Sequence, residues 1–163
     1  MLRPAFIDGP AFARSAGTLA GRLGLQTLPR LAQSGCSAAL VDFVLTGEIN
    51  ERGRAGLHLC LTGSLRLQCQ RCLGDVESPL RLDARLELAA SEEEVLAAED
   101  DVDRVVASRE TDVAALVEDE VLLALPMVAK HEQCRSAAEL DGGAAPAAFQ
   151  ALAALKKLNR QGV

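Results

Sequence analysis

Two pairs of residues in this chain are of the right type and spacing to grip a metal ion. Cys69 and Cys72 stand in "LQCQRCLGDV" (67–76) with Gln70 and Arg71 between them, and His131 and Cys134 stand in "KHEQC" (130–134) with the same gap. Three thiolates and one imidazole make a tetrahedral zinc set, and a two-residue gap lets each pair hold one ion from a turn. The pairs are separated by 58 residues. That is too long for a compact finger, so the fold has to bring them together. Two other readings compete. The first pair forms only a turn while the second caps an end, or Cys69 and Cys72 exchange disulfides. Redox exchange needs the motif at a helix start after a buried parallel strand, which these flanks do not offer.

The remaining chemistry-bearing residues read more plainly. Cys36 and Cys60 lie outside both pairs and read as small buried hydrophobes. His58 falls on the polar parity of a strand, as a solvent-facing histidine. In "VEDE" (117–120), Glu118 and Asp119 are expected to point to solvent, while Glu120 lies on the shoulder of an apolar stripe. Such a run is either a solvated helix face or an acidic surface that receives an arginine from this chain or a partner. No glycine-rich phosphate loop, nucleophile elbow or triad pattern occurs, so no enzymatic activity is expected.

The elements that position these residues follow from periodicity. Leu57, Leu59, Leu61, Leu65 and Leu67 share one parity, and His58, Cys60, Thr62, Ser64, Arg66 and Gln68 the other. That predicts a half-buried strand with a bend or bulge at Gly63 and Ser64. Leu80, Leu82, Ala84, Leu86 and Leu88 alternate with Arg81, Asp83, Arg85 and Glu87, a second such strand, which puts Cys69 and Cys72 at the tip of an antiparallel hairpin. An earlier strand is predicted over Ala39–Ile49, joined to the first by a turn at 50–54. "DVAALVEDEVLLALP" is the best helix: Asp112 caps it, Val113, Leu116, Val117, Val121 and Ala124 form its apolar stripe, and Pro126 stops it. Short helices are predicted in "TLPRLAQSG", with Thr27 capping and Gly35 ending it, and in "PAAFQALAALKKLNR" at the chain's end. Ser91 and Glu94 suggest a capping box in an acidic stretch that could equally be a loop, and a short strand is expected near Asp103–Ala107. Residues 1–38 carry weak signals.

Composition limits the alternatives. The chain has 163 residues, enough for one domain with an adequate core. It has no Trp, no Tyr and four Phe, so the core is built from Leu, Val and Ala, and a stacking platform for bases is disfavoured. Net charge is −6, gathered in the second half. That field favours a cationic protein partner over bare RNA. Arg3, Asp8 and Arg14 interrupt any secretory h-region, and the most apolar run, Val121 to Ala129, is too short to span a membrane. Residues 9–41 contain Arg but no acid, a transit-peptide-like bias and the lesser reading. Five cysteines without a disulfide framework point to a reducing cytoplasm.

Taken together, "LQCQRCL", "DVAALVEDEVLLALPMVAKH", Cys134 and "PAAFQALAALKKL" resemble, in order and spacing, the YceD family of bacterial proteins, over about Ala39 to Leu158. The resemblance implies a cytoplasmic, non-enzymatic factor that supports synthesis, processing or stability of 23S ribosomal RNA and assembly of the large ribosomal subunit. It places Cys69, Arg71 and Cys72 in a first signature, Glu118, Asp119 and Glu120 in a second, and His131 and Cys134 in a third. Its partners would be 23S rRNA, a basic ribosomal protein, or both. Arg66, Arg71, Arg81 and Arg85 would meet phosphate, and the acidic part a basic protein. The alternative from another class is a metal-binding or thiol redox protein centred on Cys69, Cys72, His131 and Cys134, with zinc as the cofactor.

The expectation is therefore a single α+β domain over residues 1–163, with its core at 36–134 and mobile loops at 89–103 and 135–146. An antiparallel sheet would be packed by the Val113–Leu125 helix, with smaller helices at both ends.

Overall fold

Alternation of buried apolar positions with outward ones, leucine against polar residues in two of them, gives three long strands their two faces. In the computed structural model, which describes residues 6–97 and 102–135, these are β3 (Ala38–Ile49), β4 (Ala55–Gln68) and β5 (Asp75–Ala89). With β2 (Thr18–Gly24) before them they form an antiparallel meander, and β6 (Arg104–Val106) adds a parallel edge beside β5. A small second sheet pairs β1 (Phe6–Ile7) with β7 (Thr111–Asp112), tying the start of the chain to the start of the main helix. The expected α+β architecture is what forms.

One face of the meander is the core. Val41, Leu45, Leu57, Leu59 and Leu61 are fully buried there, together with Val113, Val117 and Val121 from α4 (Val113–Leu123). Asp112 caps α4 by accepting from the N–H groups of Ala114 and Ala115. Two short helices complete the cover: α1 (Gly9–Arg14), capped by Asp8, and α2 (Pro29–Gln33). A side chain at Gly47 would run into the Phe12 carbonyl, so glycine here lets α1 lie directly on β3.

Four expectations need correction. The register runs without interruption through Gly63 and Ser64, with no bulge. Glycine is required at 63 because a Cβ would collide with the Leu40 carbonyl of the neighbouring strand. Thr27 does not cap α2; its hydroxyl donates to Gly24 in the preceding 3-10 turn (Leu25–Thr27). The stretch expected as a loop at 89–103 contains α3 (Glu92–Leu96), capped by Ser91, while Glu94 accepts from the N–H of Ala90. Finally, α4 ends two residues earlier than predicted, at Leu123. The loop at 135–146, apart from Arg135, and the helix expected in "PAAFQALAALKKLNR" lie outside the described residues.

Candidate metal centre at the hairpin tip

Strand parity carries Cys69 to the tip on the buried side, in step with Leu65 and Leu67, and it is fully buried. The tip closes with the Cys69 N–H donating to Gly74 O (2.8 Å) and the Leu73 N–H to Cys69 O (2.9 Å). Cys72 lies inside this turn, and Leu73 sits in the left-handed region at φ 63°, which redirects the chain so that Gly74 comes back to pair with Cys69. Beyond α4 the chain crosses the same tip, where the Gln70 N–H donates to Ala129 O (2.8 Å). This crossing closes the 58-residue gap.

All four predicted ligands meet. The Sγ atoms of Cys69, Cys72 and Cys134 and a ring nitrogen of His131 lie within 4.8 Å of one another. Cys69 Sγ is 3.7 Å from Cys134 Sγ, and Cys72 Sγ is 3.4 Å from His131 Nδ1. Tetrahedral zinc, with bonds of about 2.3 Å to sulfur and about 2.05 Å to nitrogen, requires edges of roughly 3.8 Å and 3.6 Å. The donor set and these two edges fit such an ion. His131 Nε2 is 2.9 Å from Asp75 O; donating its proton there leaves Nδ1 free to face the sulfurs, as an outer-sphere partner does for a metal-bound histidine.

The electrostatics favour thiolate at Cys69. Backbone N–H groups of Cys72, then Arg71 and His131, point at Cys69 Sγ and bring its pKa down to about 5 despite its burial. The N–H of Gly74 acts the same way on Cys72, but burial and the adjacent Cys69 and Cys134 leave that thiol above its ordinary value. His131 is raised, chiefly by Cys134 and Cys69. Arg71 donates from Nε to Cys134 Sγ (2.9 Å) and from a terminal nitrogen to His131 O (2.9 Å). Its charge offsets negative charge at the cluster, and it is engaged at the tip, apart from the other arginines expected to meet phosphate.

Those others lie on the opposite face of the sheet. Arg66, Arg81 and Arg85 are exposed there, with Arg66 3.6 Å from Glu77.

The acidic triplet separates into different roles. Glu118, expected in solvent, is only 3% exposed. Its Oε1 accepts from the N–H groups of Arg30 (2.7 Å) and Leu31 (3.1 Å), and its Oε2 from Arg30 Nε (3.0 Å). Asp119 also holds Arg30, at 2.6 Å. The arginine that this surface receives is thus the chain's own, and Glu118 caps α2 where Thr27 does not. Glu120 is buried as its place on the stripe's shoulder suggested, and burial, then Asp103 and Asp119, raise its pKa.

Cys36 is buried as expected, with its thiol donating to Ala38 O. Cys60 is not a core residue. It lies half-buried on the outer face with His58, and Asp83 stands across from it. The parity of the strand already pointed outward; the missing signal was the cross-strand register that adds Asp83.

An α+β domain with a Cys3His cluster at a hairpin tip is the class that fold and site define. The chain belongs to the YceD family: the family's sequence model, described as "Large ribosomal RNA subunit accumulation protein YceD", matches residues 57–159. No curated protein and no solved structure matches the chain.

Proposed function

We propose that this chain supports accumulation of 23S ribosomal RNA during assembly of the large subunit, acting in the cytoplasm by binding rather than by catalysis. The observation that carries this reading is the family match over residues 57–159, which takes in β4, β5, α4 and both halves of the cysteine–histidine cluster. In this reading Cys69, Cys72, His131 and Cys134 hold one zinc ion with a structural task, fixing the hairpin tip to the segment after α4. Placement of the Cys-x-x-Cys in a β-hairpin rather than at a helix start argues for this role over disulfide exchange.

The outer face of the sheet is the better candidate for contact with rRNA. Arg81 and Arg85 project from the same side of β5, four residues and so roughly 14 Å apart, with Arg66 beyond them on β4. Contacts of this kind are made to phosphate and position an RNA without reading its sequence. A basic ribosomal protein on the acidic helix is less well supported, because Glu118 and Asp119 already hold Arg30.

Crosslinking in cells followed by identification of RNA and protein partners, run beside gradient sedimentation with precursor large subunits, tests the proposal. Large-subunit RNA should be recovered, and Arg81→Glu with Arg85→Glu should lower its yield severalfold and weaken the salt dependence of binding. Chain that remains at the top of the gradient at every salt concentration, with no ribosomal partner crosslinked, is the contrary outcome.

A further inference from the structure

The chain has two histidines and five cysteines. One histidine belongs to the tip cluster. The other, His58, stands on the outer face of the sheet among Cys60 and Asp83, and the ligand atoms of these three also lie within 4.8 Å of one another. We propose that His58, Cys60 and Asp83 form a second, open binding site for a divalent transition-metal ion.

The register builds this site. Residues 58 and 60 of β4 point to the same face, and Asp83 of β5 is directly opposite Cys60. The contacts converge on a point. Cys60 Sγ is 3.5 Å from His58 Nε2 and 3.5 Å from Asp83 Oδ2, while His58 Nε2 is 2.8 Å from Asp83 Oδ1. Three ligands around zinc need sulfur-to-nitrogen and sulfur-to-oxygen edges of about 3.6 Å each. The two sulfur edges match. The shorter nitrogen-to-oxygen distance is that of a hydrogen bond, whose proton an ion would displace.

A nucleophilic relay is the rival use of a cysteine, a histidine and an aspartate. It needs the carboxylate on one ring nitrogen and the thiol on the other, so that a proton can pass through the ring. Here both partners approach the same nitrogen, Nε2. Convergence on one atom cannot relay a proton; it surrounds a cation.

The surroundings select the ion. Arg81 and Arg85 flank Asp83 on its own strand and face, opposite Thr62 and His58, and Val44 lies opposite Cys60 on the other side. Nearby guanidinium groups oppose a hard cation held by charge alone, so the affinity has to come from the thiolate and imidazole, which suit zinc or cobalt over magnesium or calcium. His58 and Cys60 are half-buried and Asp83 is exposed, which leaves the fourth position to water. Binding releases the Cys60 thiol proton to solvent; an imidazolium also releases its Nε2 proton to solvent, whereas a neutral ring moves that proton to Nδ1 by exchange with solvent.

The test is equilibrium dialysis of the full chain across a free-zinc titration, repeated with cobalt to observe thiolate-to-metal absorption. Wild type should take up one more equivalent than Cys60→Ser or His58→Gln, two near-isosteric changes on an exposed face. A Cys69→Ser, Cys72→Ser variant should keep the equivalent that Cys60→Ser loses, so the outcome does not depend on what the tip cluster holds. Circular dichroism shows that each variant is folded. Equal uptake by wild type and both folded outer-face variants overturns the proposal, as does cobalt uptake without a thiolate band that depends on Cys60.

Discussion

Glu120 is a carboxylate whose protonation the fold perturbs through burial and neighbouring acids. It is 8% exposed, and burial with the nearby acids Asp103 and Asp119 raises its pKa. The folded state therefore holds this proton more tightly than the unfolded chain does. Between the ordinary carboxylate value and the raised one, stability falls as pH rises, because the folded state binds more protons there. Below the ordinary value the penalty is absent; above the raised one it is present in full. Glu120→Gln should melt higher than wild type at pH 7 to 8, and the difference should vanish near pH 4 and below. Thermal unfolding of both proteins across that range checks this, and a difference that is constant with pH would exclude it. Glu118 is the contrasting case. It too is a carboxylate and is more buried, but it has Arg30 and two backbone N–H groups to accept from, so burial here serves to cap a helix and dock it on α4.

At the level of elements, β4 dominates the core because it is the centre of the meander and is covered on one face only. Leu57, Leu59 and Leu61 are each fully buried, while Thr62 on the opposite face is exposed. Leu59→Ala should cost about 2–5 kcal/mol, a transfer loss plus a cavity, whereas Thr62→Ala should stay within about 0.5 kcal/mol. Denaturant unfolding measures both; similar small values would show that the core is not organised about β4. The periodicity of β4 and β5 was legible because a half-buried antiparallel strand must alternate. β2 was not, since "TLAGRLG" places three non-bulky residues and an arginine in an edge strand and takes its structure from pairing with β3. The α1 helix was missed although Asp8 and Pro10 are ordinary start signals, because six residues give too short a window for a period to show. In β4 and β5 the cross-strand partners sum to 143, as do Cys69 and Gly74 at the tip. A register taken from that turn would have placed Asp83 opposite Cys60.

For the molecule as a whole, the hairpin tip and the segment after α4 are joined at the cysteine–histidine cluster. If one zinc ion holds them, protein purified without chelator should contain about one firmly held zinc per chain from this cluster, and its removal should lower the melting temperature by several degrees. His131→Ala with Cys134→Ala should remove the ion. Retention of that zinc by the double variant, or a melting temperature indifferent to chelation, would count against a metal at the tip. No described helix is long and apolar enough to cross a membrane.

The sequence by itself determined the two-faced strands, the hairpin that carries Cys69 and Cys72, the capped amphipathic helix and the residue types able to bind a metal. These are local properties, set by side-chain period, capping chemistry and ligand spacing. Only the tertiary structure decided that Arg30 closes on Glu118, that Arg71 turns into the cluster, and that His58, Cys60 and Asp83 meet. Each of those depends on register or docking between segments distant in the chain, where the geometry is fixed by burial of the whole apolar face rather than by any neighbouring residue.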